Sequence, residues 1–374
     1  MAEPVIDIDQ ALGLCTYCPS LCRHTCPVAT AEGSDTIAPW GMMSLAGHVR
    51  AGRVKPTPDV MAVIGACNGC GACTAYCHYD NPVLDTLVAV RAEVKRDHGV
   101  LSRPAQRPGW GDAGEPATTA FYDGLAARSR EDRPAVSLVP GRGAVPDAVE
   151  RLLSLCDRLD VDGLACGELA RLDLGYDAWL AGDHETFMRL AKAAHAAAGG
   201  ARDLVVMSAE ALFLLKVIYP RFGLSIGAAL LHVSEMLLPL LSGAVVKRLP
   251  GRIGYHESCH LGRQLEIRDV PRQVLRRVLE GPLRELPERS DITGCCGGSG
   301  RCGAREDTTE RMADDVLAAA AEVGFDRLTS FSTECVEALR AAEQRRVGRG
   351  LASPRVDHAV ALIAEAVIGD GAAA

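Results

Sequence analysis

The sequence predicts a multidomain α+β protein in which an all-helical N-terminal domain precedes a duplicated α/β domain. Eight of the fifteen cysteines lie within the first 77 residues, in two tight groups whose flanking segments have helical patterns. From residue 135 onward, strand-like apolar segments alternate with helical segments, which indicates a parallel sheet covered by helices. Some of these segments recur in the same order after residue 250. We therefore expect domains at residues 1–99, 135–249 and 250–374, with a linker at residues 100–134.

The N-terminal cysteines have the spacing of iron–sulfur ligands. In a reducing compartment, cysteines at this density indicate metal binding or redox chemistry rather than structural disulfides. The second group has the C-x2-C-x2-C-x3-C spacing of bacterial [4Fe–4S] sites, and the first group has one extra residue between its second and third cysteines. The two groups are Cys15, Cys18, Cys22 and Cys26, and Cys67, Cys70, Cys73 and Cys77.

The spacing also predicts that the two groups exchange their last cysteines. One loop can present three thiolates to a cubane, and in two-cluster proteins the fourth cysteine ligates the other cluster. Structural zinc sites are the alternative, but they usually pair two C-x2-C halves and do not repeat a four-cysteine run. We expect one [4Fe–4S] cluster on Cys15, Cys18, Cys22 and Cys77, and another on Cys67, Cys70, Cys73 and Cys26.

Helices are expected between and after these cysteine groups. Pro39 and Asp59 lie near the starts of the helices predicted over "APWGMMSLAGHVRAG" and "TPDVMAVIGA". The segment after the second group predicts a further helix, with Asn81 as its N-cap, Pro82 at its first position and Gly99 at its end. These segments make the N-terminal domain helical.

An internal repeat is expected within the α/β region. In an alignment of residues 204–216 with residues 328–340 without gaps, Ser208 faces Ser332, and in a separate match further along the chain His232 faces His358. The identities are few, but the matches run along both segments in the same order. We therefore expect the two halves of this region to share one fold.

Neither a membrane span nor a basic surface is expected. The apolar stretch at residues 224–241 contains His232, Glu235 and Pro239, which favours a buried amphipathic helix over a membrane crossing. The net charge of −8 provides no basic surface for nucleic acid or anionic lipid. The N-terminus has no basic segment followed by an apolar run, so we expect no secretory signal. The expected location is the cytoplasm, with any membrane association made through a partner.

The helical N-terminal domain with its two cysteine groups resembles the alpha-helical ferredoxin domain of known iron–sulfur subunits. Such domains occur in succinate dehydrogenase, anaerobic glycerol-3-phosphate dehydrogenase and glycolate oxidase. The resemblance implies the same two [4Fe–4S] clusters that the cysteine spacing predicts.

Three later segments resemble the CCG cysteine-rich domain, which occurs twice in heterodisulfide reductase subunits and in iron–sulfur subunits of glycolate and lactate oxidation. The segments are "YHESCHLGR", "GCCGGSG" and "DRLTSFSTEC". In the family, a cysteine is followed by Cys-Cys-Gly and then by a C-x2-C pair. Ser332 stands where the first cysteine of that pair is expected, and the first copy retains little of the pattern beyond Cys166. The resemblance implies a third iron–sulfur cluster on Cys259, Cys295, Cys296 and Cys335.

The serine at position 332 leaves three interpretations of the third site. Four thiolates are the complement of a plain [4Fe–4S] cubane. Cys302 offers a fifth thiolate, and a vestigial site without metal is the remaining alternative. His256 and His260 flank Cys259, and they suit hydrogen-bonding or core roles as well as ligation. We expect the first copy to hold no cluster.

The sequence indicates no substrate site of its own. It contains no G-x-S-x-G motif, no P-loop and no dinucleotide fingerprint in a strand-to-helix context. We therefore predict an electron-transfer subunit. By the resemblance, a partner flavoprotein dehydrogenase or demethylase would oxidise glycolate, lactate, glycerol 3-phosphate or an N-methylated amine, and the electrons would pass to quinone or an electron-transfer flavoprotein. The alternative is the catalytic subunit of a heterodisulfide or thiol–disulfide reductase.

Overall fold

The N-terminal part of the chain is built from helices. A computed structural model describes residues 6–18, 21–103, 120–121, 136–141, 145–161, 164–299 and 307–369. The described residues before position 104 include no strand. Their helices are α1 (Ile8–Thr16), α2 (Pro27–Glu32), α3 (Pro39–Arg50), α4 (Pro58–Ile64), α5 (Ala72–Ala75) and α6 (Val83–His98). The linker predicted at residues 100–134 lies almost wholly outside the described residues.

Most of the predicted helix ends in this domain are confirmed. Pro39 opens α3, and Gly99 ends α6 in the left-handed conformation. The predicted capping role of Asn81 is wrong, because Pro82 is the N-cap of α6. The Asn81 side chain is buried, and its amide donates a hydrogen bond to the carbonyl of Ala11 in α1 at 2.9 Å. Local sequence predicts that Asn81 caps α6, but in the structure its side chain is hydrogen-bonded to α1 instead.

Two four-stranded parallel sheets lie beyond the N-terminal domain. Their strand orders are β2-β1-β3-β4 and β6-β5-β7-β8. The strands are β1 (Val136–Val139), β2 (Leu164–Cys166), β3 (Asp203–Val206), β4 (Ala229–His232), β5 (Ile253–Tyr255), β6 (Arg284–Glu285), β7 (Arg327–Ser330) and β8 (Arg355–His358).

Helices connect and follow the strands, as parallel pairing requires. A π-helical turn, Leu214–Ile218, joins two of these helices, α10 and α11. The helices are α7 (Pro146–Arg158), α8 (Tyr176–Ala181), α9 (His184–Ala197), α10 (Ala209–Phe213), α11 (Tyr219–Arg221), α12 (Val233–Leu240), α13 (Asp269–Val278), α14 (Thr308–Val323), α15 (Thr333–Gly348) and α16 (Ala359–Ile368).

The two sheets, with their helices, form two units that arrange their elements alike. Ser208 is the N-cap of α10 after β3, and Ser332 is the N-cap of α15 after β7. His232 and His358 cap α12 and α16, and in each the imidazole Nδ1 accepts a hydrogen bond from a backbone N–H. The residues matched by the sequence repeat thus occupy matched places. The assignment of the first unit to the cysteine-rich family stays a prediction.

The apolar stretch at residues 224–241 is not one helix, so that prediction is wrong. Its middle forms strand β4, which pairs in parallel with β3, and only Val233–Leu240 is α-helical. Hydropathy does not distinguish these alternatives, whereas pairing satisfies the backbone of β3. In the part of the chain that the structure describes, no helix combines the length and apolar character needed to cross a bilayer.

The N-terminal domain packs against the second sheet unit. Leu152 of the first unit and Leu339 of the second belong to one shared hydrophobic core. The core of the N-terminal domain contains Met42 and also includes Cys259 and Cys295 of the second unit. Cys259 and Cys295 therefore lie at the boundary between the N-terminal domain and the second unit, whereas Cys296 and Cys335 belong to the core shared by the two sheet units.

Candidate iron–sulfur sites

The first set of predicted ligands gathers near the end of α1. Cys15 lies in α1, Cys22 lies in a 3-10 turn, and Cys77 follows α5. Burial raises the pKa of the Cys15 thiol to about 12, and this thiol also interacts electrostatically with Cys22, Cys77 and Cys18. The structure thus brings together the set that we call site 1: Cys15, Cys18, Cys22 and Cys77.

Site 1 has a buried side and an exposed rim. Cys18 is half-buried, and the neighbouring Tyr17 is 90% exposed. Tyr79, two residues beyond the last cysteine of the site, is 65% exposed. On the buried side, the Asn81 amide donates a hydrogen bond to Cys15 Sγ at 3.1 Å. Hydrogen bonds to ligand sulfur are one means of setting the potential of an iron–sulfur cluster, so Asn81 is placed to affect a cluster held at site 1.

The second set gathers at the starts of α2 and α5. Cys26 is the N-cap of α2, and Cys73 lies in α5. Burial raises the pKa of Cys73 well above its ordinary value, and the thiol interacts electrostatically with Cys67, Cys70 and Cys26. It also interacts with Cys22, so this set adjoins site 1. We call this second set site 2: Cys26, Cys67, Cys70 and Cys73.

The turn that carries Cys67 and Cys70 requires a glycine at position 69. Gly69 has φ +80°, and a Cβ there would lie 2.5 Å from the hydroxyl oxygen of Tyr176. Its N–H donates a hydrogen bond to Cys67 Sγ at 3.4 Å. The Tyr176 hydroxyl, on α8, donates to the carbonyl of Asn68 at 3.2 Å. The first sheet unit therefore helps to hold the ligand loop of site 2.

Three arginine side chains bring positive charge to site 2. Arg91 on α6 is fully buried, and it donates to backbone carbonyls of α4 and α8. Burial lowers its pKa to about 10, which leaves it charged at neutral pH. Arg103 donates to the carbonyl of Cys67 at 3.1 Å, and Arg263 donates to the carbonyl of Cys70 at 2.8 Å. These charges favour the negative charge of thiolates and of a cluster.

The four cysteines predicted to hold the third cluster form two close pairs. The sulfur atoms of Cys259 and Cys295 lie 3.8 Å apart, and the thiols of Cys296 and Cys335 are in hydrogen-bond contact. Contact with Cys296, followed by burial, raises the pKa of Cys335 well above its ordinary value. Metal binding is what converts such buried thiols to thiolates at neutral pH. We call this set site 3: Cys259, Cys295, Cys296 and Cys335.

Sites 2 and 3 touch across the domain boundary. The thiols of Cys70 and Cys295 contact each other, and this contact raises the pKa of Cys70. The side-chain nitrogen of Asn68 donates a hydrogen bond to Cys295 Sγ at 2.9 Å, and the side-chain oxygen of Asn68 accepts one from the Cys70 N–H at 3.3 Å. Sequence reasoning missed this junction and the role of Asn68, because no local pattern links residues that lie 227 positions apart.

Arg263 spans the junction of sites 2 and 3, and sequence reasoning also missed its role. Its guanidinium donates to the carbonyls of Cys70 and Thr293. Burial opposes its charge, but the thiols of Cys70, Cys259 and Cys295 hold its pKa above the ordinary value. Its Nη2 is buried and has no hydrogen-bond partner in the described residues. A buried N–H donor among thiols fits an acceptor outside the protein, such as the sulfide of a cluster.

His256 lies beside the second thiol pair of site 3. Its imidazole and the thiols of Cys296 and Cys335 have donor atoms within 4.8 Å of one another, and all three residues are buried. The four thiols of site 3 therefore have two imidazoles near them: His256 beside Cys296 and Cys335, and His260, whose Nδ1 lies 3.9 Å from Cys259 Sγ. Thiolate and imidazole ligands suit iron–sulfur centres, so these residues fit such a group.

Ser332, at the place of the missing cysteine, is engaged elsewhere. Its hydroxyl donates to Glu334 Oε2 at 2.8 Å. The Glu334 carboxylate also accepts a hydrogen bond from Ser208, so it links the two sheet units. Cys166, which remains from the pattern in the first unit, packs in the shared core. Cys302 lies outside the described residues.

Two family matches fall on these sites. The 4Fe-4S dicluster domain matches residues 11–81, which contain sites 1 and 2. The CCG cysteine-rich domain matches residues 253–340, which contain site 3. This chain is an iron–sulfur protein. The matches confirm the two resemblances predicted from the cysteine patterns. The residues that match the CCG domain lie in the second sheet unit.

Curated relatives of this iron–sulfur protein match it over limited segments. A probable iron-sulfur-binding oxidoreductase, FadF of Bacillus subtilis, is 34% identical over 116 residues, or 30% of this chain and 16% of the relative. One component of the dihydromethanophenazine:CoB–CoM heterodisulfide reductase of Methanosarcina barkeri is 26% identical over 141 residues, or 36% and 34%. Lactate utilization protein A of Bacillus thuringiensis is 33% identical over 89 residues, or 24% and 36%. The matches span between about a sixth and about a third of these relatives.

Proposed function

We propose that this chain is an electron-transfer subunit with two [4Fe–4S] clusters in its N-terminal domain and a third iron–sulfur cluster in its C-terminal domain. Sites 1 and 2 would hold the first two clusters with the exchanged ligands Cys77 and Cys26, and site 3 would hold the third. The observation that carries the proposal is a continuous line of thiols. Cys22 of site 1 interacts with Cys73 of site 2, and Cys70 of site 2 contacts Cys295 of site 3.

The residues around this line support transfer of electrons rather than substrate chemistry. Bound clusters would supply one-electron transfer, and the chain would hold them next to one another in a largely buried setting. The amides of Asn81 and Asn68 donate to ligand sulfurs, and the guanidinium of Arg263 lies between sites 2 and 3. Such hydrogen bonds and charges set the potentials of iron–sulfur clusters.

We infer that the electron donor is a partner flavoprotein dehydrogenase or demethylase that oxidises a small metabolite. The names of the relatives, an oxidoreductase and a lactate utilization protein, support this class of partner. The exposed Tyr17 and Tyr79 at the rim of site 1 support docking there, because aromatic residues are enriched at protein interfaces. The acceptor would be quinone or another carrier, such as an electron-transfer flavoprotein.

We also propose that residues 135–249 are a degenerate first copy of the CCG domain and that residues 250–374 are the second copy. The equal strand order of the two sheets supports this. So do the matched caps formed by Ser208 and Ser332 and by His232 and His358.

Anaerobic purification of the native complex tests the proposed function. We expect a flavoprotein to copurify, and the substrate of that flavoprotein should reduce its flavin and then produce reduced-cluster EPR signals on this chain. Cys296→Ser should lose the iron of site 3 and retain signals from sites 1 and 2, whereas Cys156→Ser, in the shared core, should retain all the iron. A complex without a flavoprotein, or clusters that stay oxidised when the flavin is reduced, would contradict the proposal.

A thiol–disulfide reductase is the second candidate, and one observation favours it. A cleft of about 350 Å³ between the N-terminal domain and the second unit is lined by Cys295 and His256. A small disulfide could therefore approach site 3, and its reduction would consume two electrons and two protons and release two thiols. Reduced viologen with a panel of disulfides tests this. Steady thiol release would favour the reductase, and its absence would favour the electron carrier.

A further inference from the structure

We propose that His256 is a ligand of the metal held at site 3 and binds the same ion as Cys296 and Cys335. This rests on the third cluster proposed above and adds a nitrogen ligand to it. An ion bound tetrahedrally at about 2.3 Å from sulfur places two thiolates about 3.8 Å apart. The imidazole and the two thiols have donor atoms within 4.8 Å of one another, which suits one shared ion.

The crowding of these donors differs from the arrangement around a plain cubane. A plain [4Fe–4S] cubane takes one protein ligand at each of its four irons. At site 3 the thiols are paired instead, with Cys259 and Cys295 at 3.8 Å and with Cys296 and Cys335 in contact. The second pair has His256 beside it, and the imidazole contacts the Cys335 thiol. The second pair and the imidazole therefore form a three-donor set for one iron.

Neighbouring strands deliver two of these ligands to one place. His256 follows β5 directly, and its N–H donates to the carbonyl of Thr329 in β7 at 2.8 Å. Cys335 lies in the first turn of α15, which begins shortly after β7. Because β5 and β7 are adjacent and parallel, both residues lie at the carboxyl edge of the same sheet. Cys296 reaches this edge from the glycine-rich loop.

Because residue 332 is a serine, site 3 lacks one thiolate of the family pattern, and the imidazole of His256 can supply a donor in its place. The family pattern has a thiolate at this position, but the Ser332 hydroxyl is hydrogen-bonded to Glu334. The imidazole of His256 supplies a donor next to the remaining cysteine of that pair, Cys335. A neutral imidazole in place of a thiolate makes the centre less negative and raises its reduction potential, as it does in iron–sulfur centres with histidine ligands.

His260 provides a matched control. It is buried like His256 and lies on the other side of Cys259 in the sequence. Its ring is engaged by the Tyr176 hydroxyl at 3.1 Å and by the Ser299 hydroxyl at 3.4 Å, and its Nδ1 lies 3.9 Å from Cys259 Sγ, whereas it is not part of the three-donor set with Cys296 and Cys335. Loss of His260 therefore tests the effect of removing a buried imidazole near site 3 without removing the proposed ligand.

The experiment is pulsed EPR of the full-length protein with reconstituted clusters, grown with either natural or ¹⁵N-labelled histidine. Iron content and thermal unfolding are measured on each variant. The wild type and His260→Gln should show the coupling of a directly bonded nitrogen, and the coupling should change with the label. His256→Ala should lack it. His256→Cys should also lack it but retain the iron, with a lower potential for site 3, and this retention separates ligand loss from misfolding.

The outcomes distinguish this inference from the proposed third cluster. If Cys296→Ser loses iron but the wild type shows no directly bonded nitrogen, His256 is not a ligand and the third cluster stands. A nitrogen coupling that survives in His256→Ala also overturns the assignment. If Cys296→Ser loses no iron, the third cluster and its histidine ligand fail together.

Discussion

Replacing Arg263 with glutamine should lower the reduction potentials of sites 2 and 3. The guanidinium is bonded to the carbonyl of Cys70 at 2.8 Å, and its charge interacts with thiols of both sites. An added electron makes a cluster more negative, so a fixed positive charge nearby stabilises the reduced form. Arg263→Gln removes that charge while keeping a hydrogen-bond donor of similar shape.

The size of the effect follows from Coulomb's law. At a separation of about 6 Å and an effective dielectric constant of about 20, one unit charge stabilises an added electron by about 3 kcal/mol. A tenfold change in a one-electron equilibrium is 59 mV, and about 1.4 kcal/mol corresponds to tenfold, so this energy amounts to roughly 120 mV. The hydrogen bond from the Arg263 guanidinium to the Cys70 carbonyl keeps the positive charge at about this separation from the Cys70 sulfur.

The assay is a potentiometric titration followed by EPR. Site 1 is the internal control, because the thiols that interact with Arg263 belong to sites 2 and 3. Arg263→Lys keeps the charge and should retain most of the wild-type potential. Arg276→Gln, at an exposed position on α13, removes the same charge from a solvent-screened site and should change nothing. Equal potentials in Arg263→Gln and the wild type would refute the electrostatic reasoning, as would an equal shift at site 1.

Three further predictions test the ligand assignment and the fold. Cys77→Ser should remove about four irons from site 1 and leave site 2 intact by EPR, because a cubane needs its four ligands. Arg272→Ala should lower the free energy of unfolding by about 3–5 kcal/mol in a denaturant titration, because it leaves the buried Glu257 carboxylate unpaired. Burial lowers the pKa of His358 to about 3. Below pH ~6.5 the unfolded chain therefore binds a proton that the folded chain does not, and the free energy of unfolding decreases as the pH is lowered. Between pH ~7.5 and ~5.5 this group costs about 1.4 kcal/mol of stability, a contribution that His358→Asn should remove in urea titrations.

Each of these predictions has a result that would count against it. Loss of the site 2 signal in Cys77→Ser would show that the two groups keep their own fourth cysteines. An Arg272→Ala variant as stable as Arg276→Ala would mean that the buried ion pair contributes no more than a surface charge. An unchanged pH dependence in His358→Asn would place the acid sensitivity in other groups, of which the equally buried His232 is the first to test.

The sequence predicts sites 1 and 2 from cysteines in short turns, where spacing determines geometry, and the structure gathers both predicted sets of thiols. It also predicts the alternation of strands and helices beyond residue 135. It fails where distant packing decides. Asn81 is a favourable N-cap residue by local rules, but its side-chain amide is hydrogen-bonded to α1. The apolar stretch at residues 224–241 is compatible with a helix by hydropathy, but its middle forms strand β4 because it pairs with the edge of β3.

The partition of site 3 into thiol pairs and the junction with site 2 were beyond prediction for the same reason. Cys259 and Cys335 can be matched to a family pattern, but the pattern gives no distances between sulfur atoms. The contacts of Asn68 and Arg263 depend on how the N-terminal domain packs against the second unit.

For the clusters proposed at sites 2 and 3, the contact between Cys70 and Cys295 would link cluster loading to the order in which the chain is made. Cys70 leaves the ribosome long before Cys295 exists, so the ligand loop of site 2 is uncovered during synthesis. Once the second unit folds, the same contact closes over both sulfurs, each of which is at most 7% exposed. If sites 2 and 3 hold the proposed clusters, iron and sulfide would be delivered most easily before the domains dock, and docking would then enclose both centres in a single step.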